Sequence, residues 1–328
     1  MRIVIKKDGQ HRRLDMKHFK KLLGLGIALL SISVMAGCAA QSDNEKQEQE
    51  VKVVNSVKGE VEIPLYPERI VDISGSTEEL VILGYKPVAT ANVDSYETDK
   101  LTSYMAKELD GVSIVGHSMM ETMDIEGILA AEPDLIIMAQ RQEKIYDQLK
   151  EIAPVIMVKD YENDWRSKLE ETAKLFDKTD VAQEWLANYD EKAKALGEEI
   201  KAANGDQSYL TVLASAGQFM IFSDAGIGTI VNDDLGLRRP DNLPVQDSIT
   251  LPVVSMEGLT EIDADHIILI ATEADKKDLE ASTVWPEIRA VKEGNVTILD
   301  ATPFFAQSYN PIGKDLLLEE IKEAVIKK

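Results

Sequence analysis

Two short segments of the chain, about 130 residues apart, follow the same pattern. In residues 126–137 and 257–268, a Glu-Gly pair opens a predicted short helix, and an aspartate eight residues after the glutamate starts an apolar strand. Earlier in each half, a strand at 70–73 and a strand at 211–213 lead to helices that end in Leu-Gly. Repeated units in one order indicate duplication. We therefore expect two similar lobes with a cleft between them, where a ligand would bind.

The order of the predicted elements defines the fold class. In the first half of the chain, apolar strands alternate with helices, as in parallel sheets covered on both faces. An apolar stripe in steps of four and three then predicts one long helix over 179–204. We expect an α/β protein with two similar lobes, an N-lobe at 61–178 and a C-lobe at 205–328, each with a mostly parallel sheet. The long helix joins them, with the ligand cleft between the lobes.

The amino-terminal region differs from the rest of the chain. Lysines precede an apolar run at 22–36, which is shorter than the roughly 20 residues of a membrane span. This pattern predicts a secretory signal over 1–37. The small residues before Cys38, the single cysteine, resemble the lipobox of bacterial lipoproteins, which implies that Cys38 carries a lipid. The polar, charged segment that follows predicts a disordered tether over 38–60.

The charge of the chain limits its partners. The formal net charge is −22, and basic residues are concentrated before Cys38. Nucleic acid is excluded as a partner, because its affinity comes largely from neutralised phosphates. An anionic ligand would need a local cluster of cations. The arginines that follow Cys38 are therefore informative: Arg69, Arg141, Arg166, Arg238, Arg239 and Arg289.

From about residue 60 onward, the order of several motifs resembles the iron-siderophore and cobalamin substrate-binding proteins of bacterial ABC importers. The motifs are Pro-Glu-Arg-Ile-Val at 67–71, Leu-Gly-Tyr-Lys-Pro-Val at 83–88, Pro-Asp-Leu-Ile-Ile at 133–137 and Ile-Ala-Pro-Val at 152–155. The resemblance implies a monomer, lipid-anchored on the extracytoplasmic face of the cell membrane. It would capture a ferric siderophore and deliver it to an ABC permease and its ATPase.

The same resemblance implies a docking role for the repeated glutamates. In that family, one glutamate on each lobe docks into arginines of the permease, and Glu126 and Glu257 stand at the matching positions. Two carboxylates far apart on one face would report the geometry of both lobes, and arginine can pair with a carboxylate through two hydrogen bonds. Each glutamate would also stabilise its own helix N-terminus through the helix dipole, and the two roles are compatible.

The ligand itself would supply oxygen ligands to a ferric ion, so the protein needs cationic donors and aromatic walls. Arg141 follows a strand at its carboxyl end, where open α/β sheets bind ligands. Its alternative role is a surface pair with Glu143 or Asp147. The predicted ligand-binding residues are Arg141, Arg238, Arg239, His117, Trp285 and Phe304. For the Arg238–Arg239 pair and His117, a solvated surface position is the alternative.

The small number of arginines favours hydroxamate or citrate–hydroxamate siderophores over highly charged catecholates. A haem- or cobalamin-binding component of the same importer class is the alternative, since a single His or Tyr can ligate haem iron. Catalysis is not predicted, because His117 and His266 are the only histidines after Cys38 and no G-x-S-x-G motif occurs. We expect no resident cofactor and no metal site of the protein's own.

Overall fold

The computed structural model of the protein describes residues 50–246 and 250–326. It begins with an antiparallel hairpin of strands β1 (Val51–Ser56) and β2 (Gly59–Pro64). Two five-stranded sheets follow. The predicted signal over 1–37 and the predicted lipidation site Cys38 lie outside the described residues.

The hairpin corrects the predicted tether, which was expected to extend to residue 60. Three of the six residues of β1 are valines, which favour strands, and Gly59, with φ +104°, begins β2 directly after the turn at 57–58. Ser56 fastens the hairpin to the first sheet. Its hydroxyl accepts a hydrogen bond from the Met157 N–H at 2.9 Å and donates one to the Met157 carbonyl at 3.1 Å.

The first lobe is a fully parallel sheet with strand order β5-β4-β3-β6-β7. Its strands are β3 (Ile70–Asp72), β4 (Ala89–Thr90), β5 (Ser113–Ile114), β6 (Leu135–Ala139) and β7 (Val155–Val158). Its helices are α1 (Thr77–Ile82), α2 (Ile125–Ala130), α3 (Tyr146–Leu149) and α4 (Trp165–Leu175), with 3₁₀ turns at Ser103–Met105 and Gln140–Ile145. All five residues of β6 are buried, as expected of a central parallel strand.

Helix α5 (Thr179–Asn204) follows, with the bounds that the sequence predicts for the connecting helix. Its buried residues recur every three or four positions, so one face packs on the protein along the whole helix. A β-carbon added at Gly197 would collide with the carbonyl oxygen of Leu235. Glycine at this position therefore lets the α5 backbone approach the second lobe closely.

The second lobe is a sheet with strand order β10-β9-β8-β11-β12. Its strands are β8 (Tyr209–Ser215), β9 (Gln218–Ile221), β10 (Val253–Val254), β11 (His266–Ala271) and β12 (Val296–Asp300). Its helices are α6 (Gly226–Thr229), α7 (Met256–Thr260), α8 (Glu273–Ala281), α9 (Arg289–Lys292), α10 (Ala301–Gln307) and α11 (Pro311–Val325), with a π-helical turn at Ile230–Asp234 and a 3₁₀ turn at Trp285–Glu287.

The two sheets have the same strand order when β3 to β7 are matched with β8 to β12. Short helices α2 and α7 precede the matched strands β6 and β11, as the sequence repeat predicts. One difference breaks the symmetry. Strand β9 is antiparallel to β8, whereas β4 is parallel to β3.

The lobes share one core and a polar joint. A single hydrophobic cluster contains residues of both sheets and of α5, among them Leu135, Tyr189 and Leu317. Arg166 of the first lobe pairs with Asp190 of α5 at 2.7 Å and with Asp234 of the second lobe at 3.0 Å. The Tyr189 hydroxyl donates to the same Asp234 at 2.7 Å. Because this joint is packed and hydrogen-bonded, it opposes independent movement of the lobes.

A second polar contact crosses the lobes at the start of α11. Glu78, a fully buried residue of α1, accepts a hydrogen bond from the Gly313 N–H at 3.0 Å and one from the Tyr104 hydroxyl at 2.5 Å. The N-cap residue Asn310 makes no capping hydrogen bond with its own side chain. A carboxylate of the first lobe therefore caps a helix of the second.

Candidate ligand-binding cleft and docking surface

A cavity of about 590 Å³ opens where the carboxyl ends of the first-lobe strands face the second lobe. Residues just beyond β3, β4, β5, β6 and β7 line most of it. The second lobe contributes Phe305, Ala306, Tyr309 and Asn310, from α10 and the connection to α11. This volume lies within the range of about 300–1,000 Å³ that small-molecule sites occupy.

Arg141 lies on the wall of this cavity, directly after β6. Its guanidinium pairs with Asp160, through Nε at 2.7 Å and Nη2 at 2.6 Å, and Nη1 donates to the Met119 sulfur at 2.7 Å. The alternative partners expected from the sequence bind elsewhere, since Glu143 pairs with Lys58 and Asp147 with Lys150. Asp160 therefore fixes the orientation of Arg141 at the cavity.

His117 also lines the cavity. Its Nδ1 accepts a hydrogen bond from the Met119 N–H at 3.1 Å, so the neutral ring carries its proton on Nε2. Burial lowers the pKa of His117, which favours this neutral form at physiological pH. The side chain can act as an uncharged hydrogen-bond donor.

Lys159 and Tyr161 follow β7 and line the same cavity, although no sequence motif marked either residue. The Lys159 ammonium lies 4.8 Å from the centre of the Tyr161 ring, in a cation–π arrangement. Burial raises the pKa of Tyr161 to about 12, so its phenol stays protonated and can donate.

The second-lobe wall is aromatic. Phe305 and Tyr309 lie with ring centres 5.4 Å apart, and Tyr96 of the first lobe meets Phe305 edge-on at 5.9 Å. Phe304, the predicted wall residue, is not among the cavity-lining residues and packs against the shared core. The adjacent Phe305 takes the place expected for it.

The structure places the other predicted ligand residues away from the cavity. Arg238 pairs with Asp265 at 3.0 Å, and its segment lies beside Ser208, at the amino ends of β8 and β11. Arg239 pairs with Asp224 and Asp233 at 2.6 and 2.7 Å. Neither arginine lines the cavity, so the expectation that they do is wrong. A residue that follows a helix in a parallel sheet approaches the amino edge, opposite the cleft.

Trp285 is likewise not at the cavity. It is a buried member of the hydrophobic cluster on the outer face of the second sheet, with Leu269 and Ile288. The expectation of an aromatic wall at this position is therefore corrected. A buried tryptophan and a ligand-facing one share the same apolar sequence context, so the sequence could not separate them.

The charges on the cavity wall are nearly balanced. Its cations are Arg141, Lys159 and Lys168, and its carboxylates are Asp160 and Glu162. Asp160 pairs with Arg141, and Lys168 pairs with the buried carboxylate of Glu79. The cavity therefore presents donors without a strong positive field, unlike a site built for a highly charged anion.

The repeated glutamates occupy equivalent, exposed positions. Glu126 and Glu257 are each the second residue of a short helix, α2 and α7. The N-cap of α2 is Asp124, which accepts from the Gly127 N–H at 3.0 Å, and the N-cap of α7, Ser255, makes the equivalent bond at 3.2 Å. Both carboxylates are exposed at equivalent positions, so each can pair with an external cation, and Glu257 also accepts a hydrogen bond from the Ser255 hydroxyl at 2.9 Å.

Known proteins with similar sequences identify the family of this chain. Residues 70–303 match the Periplasmic binding protein family, and the chain belongs to that family. The probable siderophore-binding lipoprotein YfiY of Bacillus subtilis (strain 168) is 31% identical over 304 residues, which cover 87% of this chain and 91% of that protein. The iron(3+)-hydroxamate-binding protein FhuD of the same organism is 28% identical over 326 residues, which cover 95% of this chain and 100% of that protein.

A solved structure shows the same fold. It is a periplasmic binding protein of the FhuD fold family from Bacillus subtilis, a component of a Fep/Fec-like ferrichrome ABC transporter. It matches with a TM-score of 0.69 and 27% identity, covering 84% of this chain and 100% of that one. The predicted fold class and the family resemblance are confirmed. Among the helices of residues 50–246 and 250–326, none combines the length and apolar character needed to cross a membrane.

Proposed function

We propose that this protein captures a ferric siderophore and delivers it to an ABC permease for iron uptake. The observation that carries the proposal is the 590 Å³ cavity, in which hydrogen-bond donors of the first lobe face an aromatic wall of the second. A siderophore surrounds its iron with oxygen atoms, so the protein needs outer donors and flat apolar surface instead of metal ligands.

The charge balance of the cavity favours a hydroxamate or citrate–hydroxamate siderophore. Arg141, His117, Tyr161 and Lys168 can donate to hydroxamate oxygens, while the paired carboxylates limit attraction of a multiply charged complex. The names of the relatives support this choice, since one binds iron(3+) hydroxamate and another belongs to a ferrichrome transporter.

Delivery would use the repeated glutamates. Glu126 and Glu257 would each pair with arginines of the permease, which works with its ATPase. Their outward geometry at two matched helices supports this role. Cys38 would hold the protein on the extracytoplasmic face through a lipid, as a monomer that touches the membrane through this anchor alone.

Fluorescence quenching of the mature protein tests the ligand class directly. Trp165 lies near the first-lobe wall, one helical turn before the cavity residue Lys168, and provides a signal. We expect saturable quenching by ferrichrome with a dissociation constant below micromolar, and weaker quenching by a ferric tris-catecholate. Binding of haem with a Soret band, or of cobalamin, with no response to any ferric siderophore would replace this proposal with the alternative ligand.

A further inference from the structure

A lysine and a buried glutamate, neither of them a predicted site residue, form an ion pair beside the cavity. Lys168 of α4 lines the cavity, and its ammonium donates to the carbonyl of Gly75. The same ammonium lies 3.2 Å from Oε1 of Glu79, a residue of α1 that is fully buried. Neither oxygen of Glu79 receives a well-aligned hydrogen bond from the residues that the structure describes. The contact is therefore an ion pair in which charge provides the attraction.

This pair leaves Lys168 with a free donor. An ammonium group has three N–H bonds, and the described partners of Lys168 are the Gly75 carbonyl and the Glu79 carboxylate. Because Lys168 lines the cavity, its third N–H remains for a molecule bound there. Lys168 can thus donate to a bound molecule while its positive charge is cancelled from below.

Glu79 has few other interactions that would explain its burial. Its neighbour Asp72 is also fully buried, but Asp72 accepts hydrogen bonds from Ser74 at 2.6 Å and from Thr77 at 2.6 Å. Burial raises the pKa of Glu79, and the nearby Lys168 opposes that rise. A buried carboxylate is costly unless its partner compensates it, so its placement under a cavity cation needs a reason beyond stability.

We propose that Glu79 sets the charge selectivity of the cavity by neutralising Lys168, so that Lys168 hydrogen-bonds a chelate of low net charge without attracting a strongly anionic one. This inference rests on the proposed function, since it concerns the same cavity and ligand. Glu79 touches no ligand in this account and is a positioning and selectivity residue.

The test compares two probes, neutral ferrichrome and anionic ferric citrate, by fluorescence titration at pH 7.5. The readout is the ratio of the two dissociation constants, citrate over ferrichrome. For charges ~8 Å apart at an effective dielectric constant of ~30, removing the Glu79 charge lowers this ratio about tenfold in Glu79→Gln. The double variant Glu79→Gln/Lys168→Met removes both charges, and we expect it to restore the wild-type ratio.

Glu78→Gln is the matched control. Glu78 is the adjacent buried carboxylate, but it faces Tyr104 and Gly313, so its removal should leave the ratio within about twofold of wild type. If Glu79→Gln does not fold, Glu79→Met carries the same test, because it removes the uncompensated oxygens altogether.

An unchanged ratio in a folded Glu79 variant, or an equal weakening for both probes, would overturn the inference and reduce Glu79 to a structural residue. A wild-type protein that binds neither probe nor any other ferric chelate would instead remove the proposed function. The two failures are distinguished by the wild-type titration alone.

Discussion

The two lobes share a strand order but differ in how the chain leaves their central strand. In the first lobe, β3 is followed by α1, which crosses over to the parallel strand β4. In the second lobe, β8 turns back at once through Ala216 and Gly217, with φ of 49° and 76°, into the antiparallel β9. A crossover helix begins at the carboxyl edge of the sheet and then covers one face, whereas a hairpin places only a turn at that edge.

This difference decides which lobe forms the cavity. All five strands of the first lobe direct their carboxyl ends to one edge, and the residues beyond them line the cavity. Of the second-lobe residues that the structure describes, only those of α10 and the segment before α11 reach the cavity. By contrast, the helices that carry Glu126 and Glu257 are nearly identical in both lobes. Duplication has thus kept the proposed docking surface and lost the symmetry of the ligand site.

The largest expected effect concerns the two matched helices, α2 and α7, that carry Glu126 and Glu257. Reversing the charge at either helix, by Glu126→Arg or Glu257→Arg, should lower iron uptake about a hundredfold, because it replaces an arginine–carboxylate pair with repulsion. The affinity of each variant for the ligand should stay within about twofold of the wild-type affinity. Uptake of radioactive iron in cells that depend on this protein, beside titration of the purified variants, measures both quantities.

Glu184→Arg, on the exposed face of α5, is the control for the added positive charge and should leave uptake unchanged. If charge reversal at only one of the two glutamates lowered iron uptake, the docking surface would be as asymmetric as the cavity. The comparison of the lobes would then fail.

The next effect concerns the contact that holds the lobes together. Burial raises the pKa of Glu78 from 4.5 to about 7. The hydrogen bonds from Tyr104 and Gly313 favour the ionised form and only partly offset this rise. The folded protein therefore retains the Glu78 proton at pH values where the unfolded chain has released it. This contribution to stability is fully present below pH 4.5 and is lost as pH rises to about 7. The loss is on the order of 3 kcal/mol.

Glu78→Gln mimics the protonated form and should remove this pH dependence. Urea unfolding at intervals from pH 4.5 to 7.5 measures it, as the difference in free energy of unfolding between the variant and the wild type. That difference should shift in favour of the variant as pH rises. A constant difference would mean that Glu78 is ionised throughout and caps α11 as a carboxylate at every pH in the range.

An arginine from each lobe gives the third comparison. Arg141→Ala should weaken ferrichrome binding about tenfold, because it removes a charged donor that Asp160 holds at the cavity. Arg238→Ala should change affinity less than twofold, since Arg238 lies at the opposite edge of its sheet. Calorimetric titration of both variants checks this, and equal losses would contradict the one-sided cavity.

The smallest effect should separate two adjacent phenylalanines of α10. Phe305→Ala removes part of the aromatic wall and should weaken binding about fivefold. Phe304 and Phe305 both pack on the shared core, but Phe304 does not line the cavity, so Phe304→Ala should lower the melting temperature while affinity stays nearly constant. A reversed pattern, seen by melting curves and titration, would show that α10 presents its other face to the ligand.

The sequence predicted the features that repeat or that follow local rules. The paired helices and the long helix α5 were visible as patterns. The placement of Arg141 and His117 at the strand ends could be predicted, because residues that follow parallel strands lie at the carboxyl edge of a sheet. By the same rule, residues that precede a parallel strand lie at the amino edge of the sheet. This would have placed Arg238 and Arg239 at that edge.

Other features depended on contacts between distant segments. Lys168 lies near the start of a polar helix, and only the fold brings it to Glu79, 89 positions earlier in the chain. The valines of the hairpin β1–β2 favour strands, but the charged residues around them obscured this signal. Its attachment to Met157 could not be read from the local sequence.

The central claim is that the ligand is held at the strand ends of the first lobe, against α10 of the second. An anomalous difference map at the iron absorption edge, from crystals of the protein with ferrichrome, tests it most directly. The account predicts one strong iron peak inside the cavity bounded by Arg141, Lys168 and Tyr309. A peak beside Arg238 or near Trp285 would contradict it, as would iron bound directly by protein side chains.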